Sequence, residues 1–307
     1  MMWFFLISGA LIAIPLMIEL TRAPMSSAER GTATGQFAQL SQGVTHYEWF
    51  GPKRGPIVVC IHGLTTPSVV WGSLSKGLAL MGRRVLTYDL YGRGYSDRPR
   101  GKQNEAFFIQ RLNNLLHHED ITGTFSIIGY SIGGAIASIF AATHPNRIGQ
   151  LILLAPAEIK INSGKLAKLV AKTPILGDWL MLAFYPRQLR KGISAERKLA
   201  THIPGIADQQ ERELRNRGFM PAVLSSLRGI LSKLRHKEHR AMHHAGLPVL
   251  AIWGRNDAVI PIGAADALAE WSPSTIQMIV DDAGHGLPYT HANQTLEIIR
   301  KAMAAQT

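Results

Sequence analysis

The chain has 307 residues, 46% hydrophobic and 18% charged, with a formal net charge of +12. This composition supports a sizeable core and excludes wholesale disorder, and the length suits one large α/β domain with an insertion or two average domains. A single cysteine, Cys60, excludes an intramolecular disulfide and any multi-cysteine zinc site, while the charge asks for an anionic partner.

From Met1 to Ile18 no side chain is charged; Glu19 and Arg22 end the run. As a helix, residues 1–20 would reach about 30 Å, one hydrocarbon thickness. Trp3, Phe4 and Phe5 suit one interface, and Pro15 kinks such a helix without preventing insertion. Residues 1–20 are therefore expected to be a membrane anchor. The rival reading is a signal peptide cleaved near Ser26-Ser27-Ala28, which would mean export. Against it, no Lys or Arg precedes the run, and Arg22 lies in the would-be cleavage region. Arg22, Arg30, Lys53 and Arg54 all follow the segment, which favours a cytoplasmic catalytic domain.

Residues 21–43 are small, polar and aperiodic, and read as a linker. Short apolar runs then alternate with helical stretches. Val44–Phe50, Pro56–His62, Arg84–Asp89, Thr124–Tyr130, Gln150–Pro156, Pro248–Trp253 and Thr275–Val280 read as strands, several continuous and β-branched, as in strands buried on both faces. Glu105–His118 and Ile132–Ala142 read as helices between them. The βαβα order predicts an α/β fold with a mostly parallel sheet and flanking helices. Residues 44–156 and 246–307 are expected to form this core.

Residues 157–245 contain no convincing strand. Met220, Val223, Leu224, Leu227, Leu231 and Leu234 fall at helical spacing. This stretch is expected to be a helical cap over a site at the strand ends. It holds 17 Lys/Arg against 7 Asp/Glu, whereas the remaining residues hold 16 against 14. Nearly all the excess charge is thus in the cap, either as a solvated helical surface or as a face toward anionic headgroups. An anionic membrane surface is the expected partner. No nucleic-acid motif accompanies the basic residues, so nucleic acid is not expected.

Gly129-Tyr130-Ser131-Ile132-Gly133 matches G-x-S-x-G between an apolar strand and an apolar helix. That context is the nucleophile elbow, whose tight turn needs small neighbours such as Gly129 and Gly133. A serine hydroxyl needs a base, and the base needs an orienting group. Asp257 follows the strand ending at Trp253, and His285 follows the strand ending at Val280. His285 is the expected base and Asp257 its orienter. Asp281, Asp282 and Asp89 are rival acids: the first two lie close to His285 in sequence, and Asp89 precedes the elbow. The backbone N–H groups of Leu64 and Ile132 are the candidate oxyanion donors. His62 and Gly63 are expected to support that loop. His236, His239, His243 and His244 lack an H-E-x-x-H pattern and accompanying carboxylates, so no metal is expected. Cys60 lies in an apolar strand and reads as packing.

The segments HGL (62–64), DLYGRGYSDRP (89–99), GYSIGG (129–134), GRND (254–257) and GH (284–285) resemble, in order, the motifs of the α/β-hydrolase superfamily in its lid-bearing esterase and lipase-like branch. The resemblance spans residue 44 to the C-terminus. It implies an α/β-hydrolase fold with the cap inserted after the sixth strand, and a Ser–Asp–His triad with no cofactor. Serine at position 131 disfavours members with an aspartate nucleophile. The anchor resembles the arrangement in membrane-bound monoacylglycerol lipase-like hydrolases. The expected activity is hydrolysis of carboxylic esters with lipophilic acyl groups. Leu176, Trp179, Leu180, Met181, Leu182 and Phe184 would line the acyl pocket, touch the bilayer or pack the cap. The alternatives are a C–C bond hydrolase, a cofactor-free perhydrolase using the same triad, or a non-catalytic ligand-binding module.

Overall fold

The computed structural model describes residues 13–162 and 164–305. Its framework is one eight-stranded sheet. The strands are β1 (Gln36–Leu40), β2 (Gly43–Phe50), β3 (Ile57–Ile61), β4 (Arg84–Tyr88), β5 (Phe125–Tyr130), β6 (Ile148–Leu154), β7 (Val249–Gly254) and β8 (Ile276–Val280). Their spatial order is β1-β2-β4-β3-β5-β6-β7-β8. The pairs β1/β2 and β2/β4 are antiparallel; all the others are parallel. Helices cover both faces, so the central strands carry continuous apolar runs. Every residue of β7 is buried, and all but the first of β3.

The expected helix Glu105–His118 forms with those bounds. The Asn104 side chain accepts from the Phe107 N–H at 3.1 Å, Glu105 opens the first turn, and His117 and His118 close the last. Phe108, Leu112 and Leu115 share the buried face.

The stretch expected as a linker is bound to the rest of the protein. Ser26 caps a helical turn, Ser27–Arg30, whose Arg30 pairs with Asp97 and donates to the Tyr95 carbonyl at 3.1 Å. Strand β1 then pairs with β2 through a tight hairpin, Leu40 opposite Gly43. Ala38 and Leu40 share its buried face, while Gln36, Phe37 and Gln39 are exposed, so only two core residues mark the strand in sequence.

Most of the expected anchor, residues 1–12, lies outside the described residues. Residues 13–21 are helical, with Ile14, Leu16, Met17, Ile18 and Leu20 exposed. Among the described residues no helix is long and apolar enough to cross a membrane. The end of this helix is tied to the insertion. Glu19 Oε1 accepts the Gly218 N–H at 2.6 Å, and the Arg217 N–H donates to the Ala23 carbonyl at 2.8 Å.

Between β6 and β7 the chain forms helices Lys165–Lys172, Leu176–Glu196, Ile206–Glu213, Phe219–Arg228 and His236–His244. The first four build the cap around their own apolar cluster, which includes Val170, Met181, Phe219, Met220 and Val223. Each fully buried side chain of that size contributes roughly 1.5–3 kcal/mol. The fourth helix stops at Gly229, where a Cβ would stand 2.1 Å from the Gln103 carbonyl oxygen. Leu231 and Leu234 therefore lie beyond it, although the spacing had joined them to it. His236–His244 packs on the core helices Ile132–Thr143 and Ala264–Trp271, so the cap ends before residue 245. His239 is buried there, 3.4 Å from Glu158, while His243 meets Ser274 at 2.7 Å. No group of three or more His, Cys, Asp or Glu among the described residues is arranged to hold a metal ion.

The cap inserts one carboxylate into the core. Glu213 is buried and accepts the Gly94 N–H at 2.9 Å, with Arg98 at 3.8 Å. Burial, opposed by Arg98, raises its pKa to about 7. A carboxyl raised this way favours folding while protonated, and that contribution is lost as pH rises through about 7. Glu213→Gln keeps an acceptor for Gly94 without the charge. Thermal melts should show the wild-type midpoint falling relative to the variant's by a few degrees between pH 5 and 8.

Candidate active site

Strand β5 delivers the candidate nucleophile. It ends at Tyr130, and the helix Ile132–Thr143 starts two residues on, so the chain reverses at Ser131 with φ +55° and ψ −118°. A non-glycine residue in this region is strained by roughly 1–3 kcal/mol and persists only where its surroundings enforce it. Here they do. Ser131 N–H donates to the Leu154 carbonyl at 3.0 Å, and the Ser131 carbonyl accepts from Gly134 at 2.9 Å and Ala157 at 3.2 Å. A Cβ on Gly129 would stand 2.4 Å from the Gly133 oxygen, and one on Gly133 would stand 2.1 Å from the Ile61 oxygen. The two glycines therefore let strand, helix and the loop after β3 meet.

The partners come from the ends of β7 and β8. His285 Nε2 lies 3.2 Å from Ser131 Oγ, and its Nδ1 lies 2.8 Å from Asp257 Oδ2. Asp257 Oδ1 accepts the N–H groups of Val259 and Ile260, both at 2.8 Å, which fixes the buried carboxylate. The two loops touch directly: Asn256 N–H donates to the Ala283 carbonyl at 2.9 Å. Gly254 permits this, since a Cβ there would stand 2.5 Å from the Gly284 oxygen. Tyr130 supports the histidine from below. Its hydroxyl donates to the His285 carbonyl at 3.0 Å, and burial holds its pKa well above the ordinary phenol value.

The rival acids are placed elsewhere. Asp281 is exposed and pairs with Arg255 at 2.6 Å, and Asp282 is exposed. Asp89 is buried in another polar centre, where it meets His46 Nδ1 at 2.7 Å and accepts the N–H groups of Ser68 and Tyr95. Burial opposes its charge, but these partners hold its pKa below the usual carboxylate range.

The two candidate oxyanion donors adjoin the nucleophile. Among the described residues neither the Leu64 nor the Ile132 N–H donates to a protein acceptor. Gly63 packs against Tyr130 and Ser131, leaving 3.6 Å between its would-be Cβ and the Ser131 Cβ. His62 orients the Leu64 amide. Its Nε2 accepts the Leu90 N–H at 2.8 Å, so Nδ1 carries the proton and donates to the Gly63 carbonyl at 2.7 Å. That carbonyl belongs to the same planar peptide as the Leu64 N–H. Burial lowers the His62 pKa to about 4, which keeps this arrangement neutral.

A cavity of about 330 Å³ opens above Ser131 and His285. Ala167, Leu189, Ile193, Leu214, Phe219 and Leu227 give it apolar walls from the cap. None of the six cap residues from Leu176 to Phe184 lines it; Met181 is wholly buried inside the cap, and Leu176 and Phe184 are exposed. The cavity is lined instead by the next turns of that helix, from Tyr185 to Glu196. One end is polar. Tyr289 donates to Glu196 at 2.8 Å, and Gln210 donates to Thr66 at 3.0 Å. The cap residues of this lining, Glu196 and Gln210 among them, carry no local sequence signal, because nothing in a helix's own pattern says which side meets the core.

Residues 56–292 match the alpha/beta hydrolase fold family, and the protein belongs to that family. It is a hydrolase of the α/β type. It is 28% identical over 229 residues to 2-hydroxymuconate semialdehyde hydrolase from Pseudomonas putida, covering 72% of this chain and 77% of that one. It is 27% identical over 257 residues to pimeloyl-[acyl-carrier protein] methyl ester esterase from Nitrosomonas europaea, covering 78% and 92%. A solved structure described as a membrane phospholipase A superposes with a TM-score of 0.73 at 18% identity, covering 99% of this chain and 96% of that one, a likeness of fold.

The elbow leaves no room at position 133. Gly133→Ala should lower stability by about 1–3 kcal/mol or more, since the new methyl meets backbone. Chemical denaturation followed by circular dichroism measures this.

Proposed function

We propose that the protein is a serine hydrolase that cleaves carboxylic esters of lipophilic acyl groups through an acyl-enzyme. The observation that carries this reading is Ser131 Oγ within reach of His285 Nε2, itself oriented by Asp257, at the floor of a cavity with apolar walls. Ser131 attacks the ester carbonyl as His285 takes its proton. Charge develops on the carbonyl oxygen, which the Leu64 and Ile132 N–H groups receive. Asp257 stabilises the imidazolium. The tetrahedral intermediate collapses, His285 gives the proton to the departing alkoxide, and the alcohol leaves. Water, deprotonated by His285, then attacks the acyl-enzyme; the serine recovers its proton and the acid is released. The apolar cap wall suits the acyl chain, and the polar end by Glu196, Gln210 and Tyr289 suits the alcohol. The esterase relative supports this assignment.

The wild type should label with a fluorophosphonate probe and hydrolyse p-nitrophenyl esters. Ser131→Ala should abolish labelling and lower kcat by about four orders of magnitude or more. Undiminished labelling of the variant would refute the assignment. The relative that acts on 2-hydroxymuconate semialdehyde supports a second reading, C–C bond hydrolysis with the same triad. A vinylogous diketone turned over faster than any ester in a substrate panel would favour it.

An anionic membrane surface is the partner the charge supports, with the apolar N-terminal run as anchor and the catalytic domain cytoplasmic. On the cap, Lys165, Lys168, Lys172, Arg187, Arg190 and Lys191 are exposed. Each such side chain near an anionic leaflet contributes about 1 kcal/mol. Replacing these six by Gln should weaken binding to anionic vesicles in a flotation assay. Unchanged binding would assign them to a solvated surface.

A further inference from the structure

Arg93 lies outside the catalytic cavity and is fully buried. All five of its N–H groups are used. Nε donates to the Leu64 carbonyl at 3.0 Å; Nη1 donates to the Tyr91 carbonyl at 2.8 Å and to Gln103 Oε1 at 2.6 Å. Nη2 donates to Ser226 Oγ at 2.9 Å and to the Ala222 carbonyl at 3.4 Å. Ser226 and Ala222 belong to the cap helix Phe219–Arg228, and Ser226 in turn donates to Gln103 at 2.6 Å. None of the five acceptors is a carboxylate.

A buried guanidinium without a paired acid is costly in desolvation, and an apolar side chain of its volume would fill the same space. What the guanidinium adds is direction, because its planar fork fixes the groups it touches. One of those groups is the carbonyl of Leu64, whose own N–H is a proposed oxyanion donor. His62 holds the peptide before Leu64, and Arg93 holds the peptide after it. The other arm of Arg93 holds the cap. The Leu64 side chain repeats the link, since it packs against both the core cluster and the cap cluster.

We propose that Arg93 is a positioning residue that sets the Leu64 amide from the place of the cap helix Phe219–Arg228, so that a seated cap completes the oxyanion hole. This inference rests on the ester-hydrolase reading above. A displaced cap helix would pull on Arg93 through Ser226 and Ala222, and Arg93 would release or tilt the Leu64 peptide. A small error in donor position weakens stabilisation of the developing charge while ground-state binding in the apolar cavity persists.

The test compares Arg93→Met, Ser226→Ala and Gln103→Leu with wild type, using p-nitrophenyl butyrate and a trifluoromethyl ketone, whose serine adduct carries the oxyanion. Arg93→Met should lower kcat about 10–100-fold with KM within about threefold, and weaken the ketone by the same factor as kcat. Ser226→Ala leaves the bond to Leu64 in place and should lower kcat and ketone affinity together by about 3–10-fold. A folded Arg93→Met with wild-type kcat and ketone affinity, or with a change in KM alone, would overturn the proposal. If Arg93→Met does not fold, the other two variants decide: wild-type kcat and ketone affinity in both would overturn it. If the wild type hydrolyses no ester, the functional reading fails separately. Amide hydrogen exchange over residues 62–66 then decides the role of Arg93, faster exchange in Ser226→Ala supporting it and unchanged exchange overturning it.

Discussion

The turn at Ser131 is the constraint on which the site depends. A serine held at positive φ between a buried strand and a buried helix projects its hydroxyl away from the sheet. The strain is tolerable because backbone packs where side chains would stand. The start of the helix Ile132–Thr143 rests on the carbonyls of Ile61 and His62, at distances that admit no Cβ on Gly133. The same contact brings the loop after β3 beside the nucleophile. A single steric requirement thus places the serine, the Ile132 amide and the Leu64 loop together.

Around this turn the polar groups are held by backbone more than by one another. Asp257 accepts two amides beside its histidine, and Asp89 accepts two amides beside His46. His62 bridges the Leu90 amide and the Gly63 carbonyl. Side chains anchored to backbone at both ends lose their freedom once, on folding, and are then preorganised for chemistry. This explains why so many buried polar residues cluster within a few residues of the strand ends.

The cap is a second hydrophobic unit with its own cluster, and polar and apolar contacts of high consequence join it to the core. Glu213 reaches down to Gly94, Arg93 reaches up to Ser226, and Leu64 belongs to both apolar clusters. Lys165, Lys168, Lys172, Arg187, Arg190 and Lys191 are exposed on the cap, while its apolar side chains wall the cavity. Cap position and the shape of the catalytic cavity are therefore coupled by construction. The N-terminal segment is joined to the same unit through Glu19 and Gly218, so whatever that segment contacts is held beside the cap.

The sequence by itself determined the α/β order, the elbow and the serine and histidine of the candidate triad, and put Asp257 first among four possible acids, because each rests on a local pattern. Buried parallel strands need continuous apolar runs, a tight turn needs glycine on either side of Ser131, and a loop residue just past a strand end lies at one edge of the sheet. Tertiary structure decided what no local pattern carries. It chose Asp257 over Asp89, Asp281 and Asp282 by distance. It made a strand of residues 36–40, where only Ala38 and Leu40 are buried and the exposed Phe37 breaks the apolar pattern. It took the cavity wall from Tyr185–Glu196 rather than from the more apolar turns before it, and joined Arg93 to the loop after β3 and to a cap helix more than a hundred residues on. These outcomes depend on which surfaces of separate helices meet, and that is fixed only when the cap closes on the core.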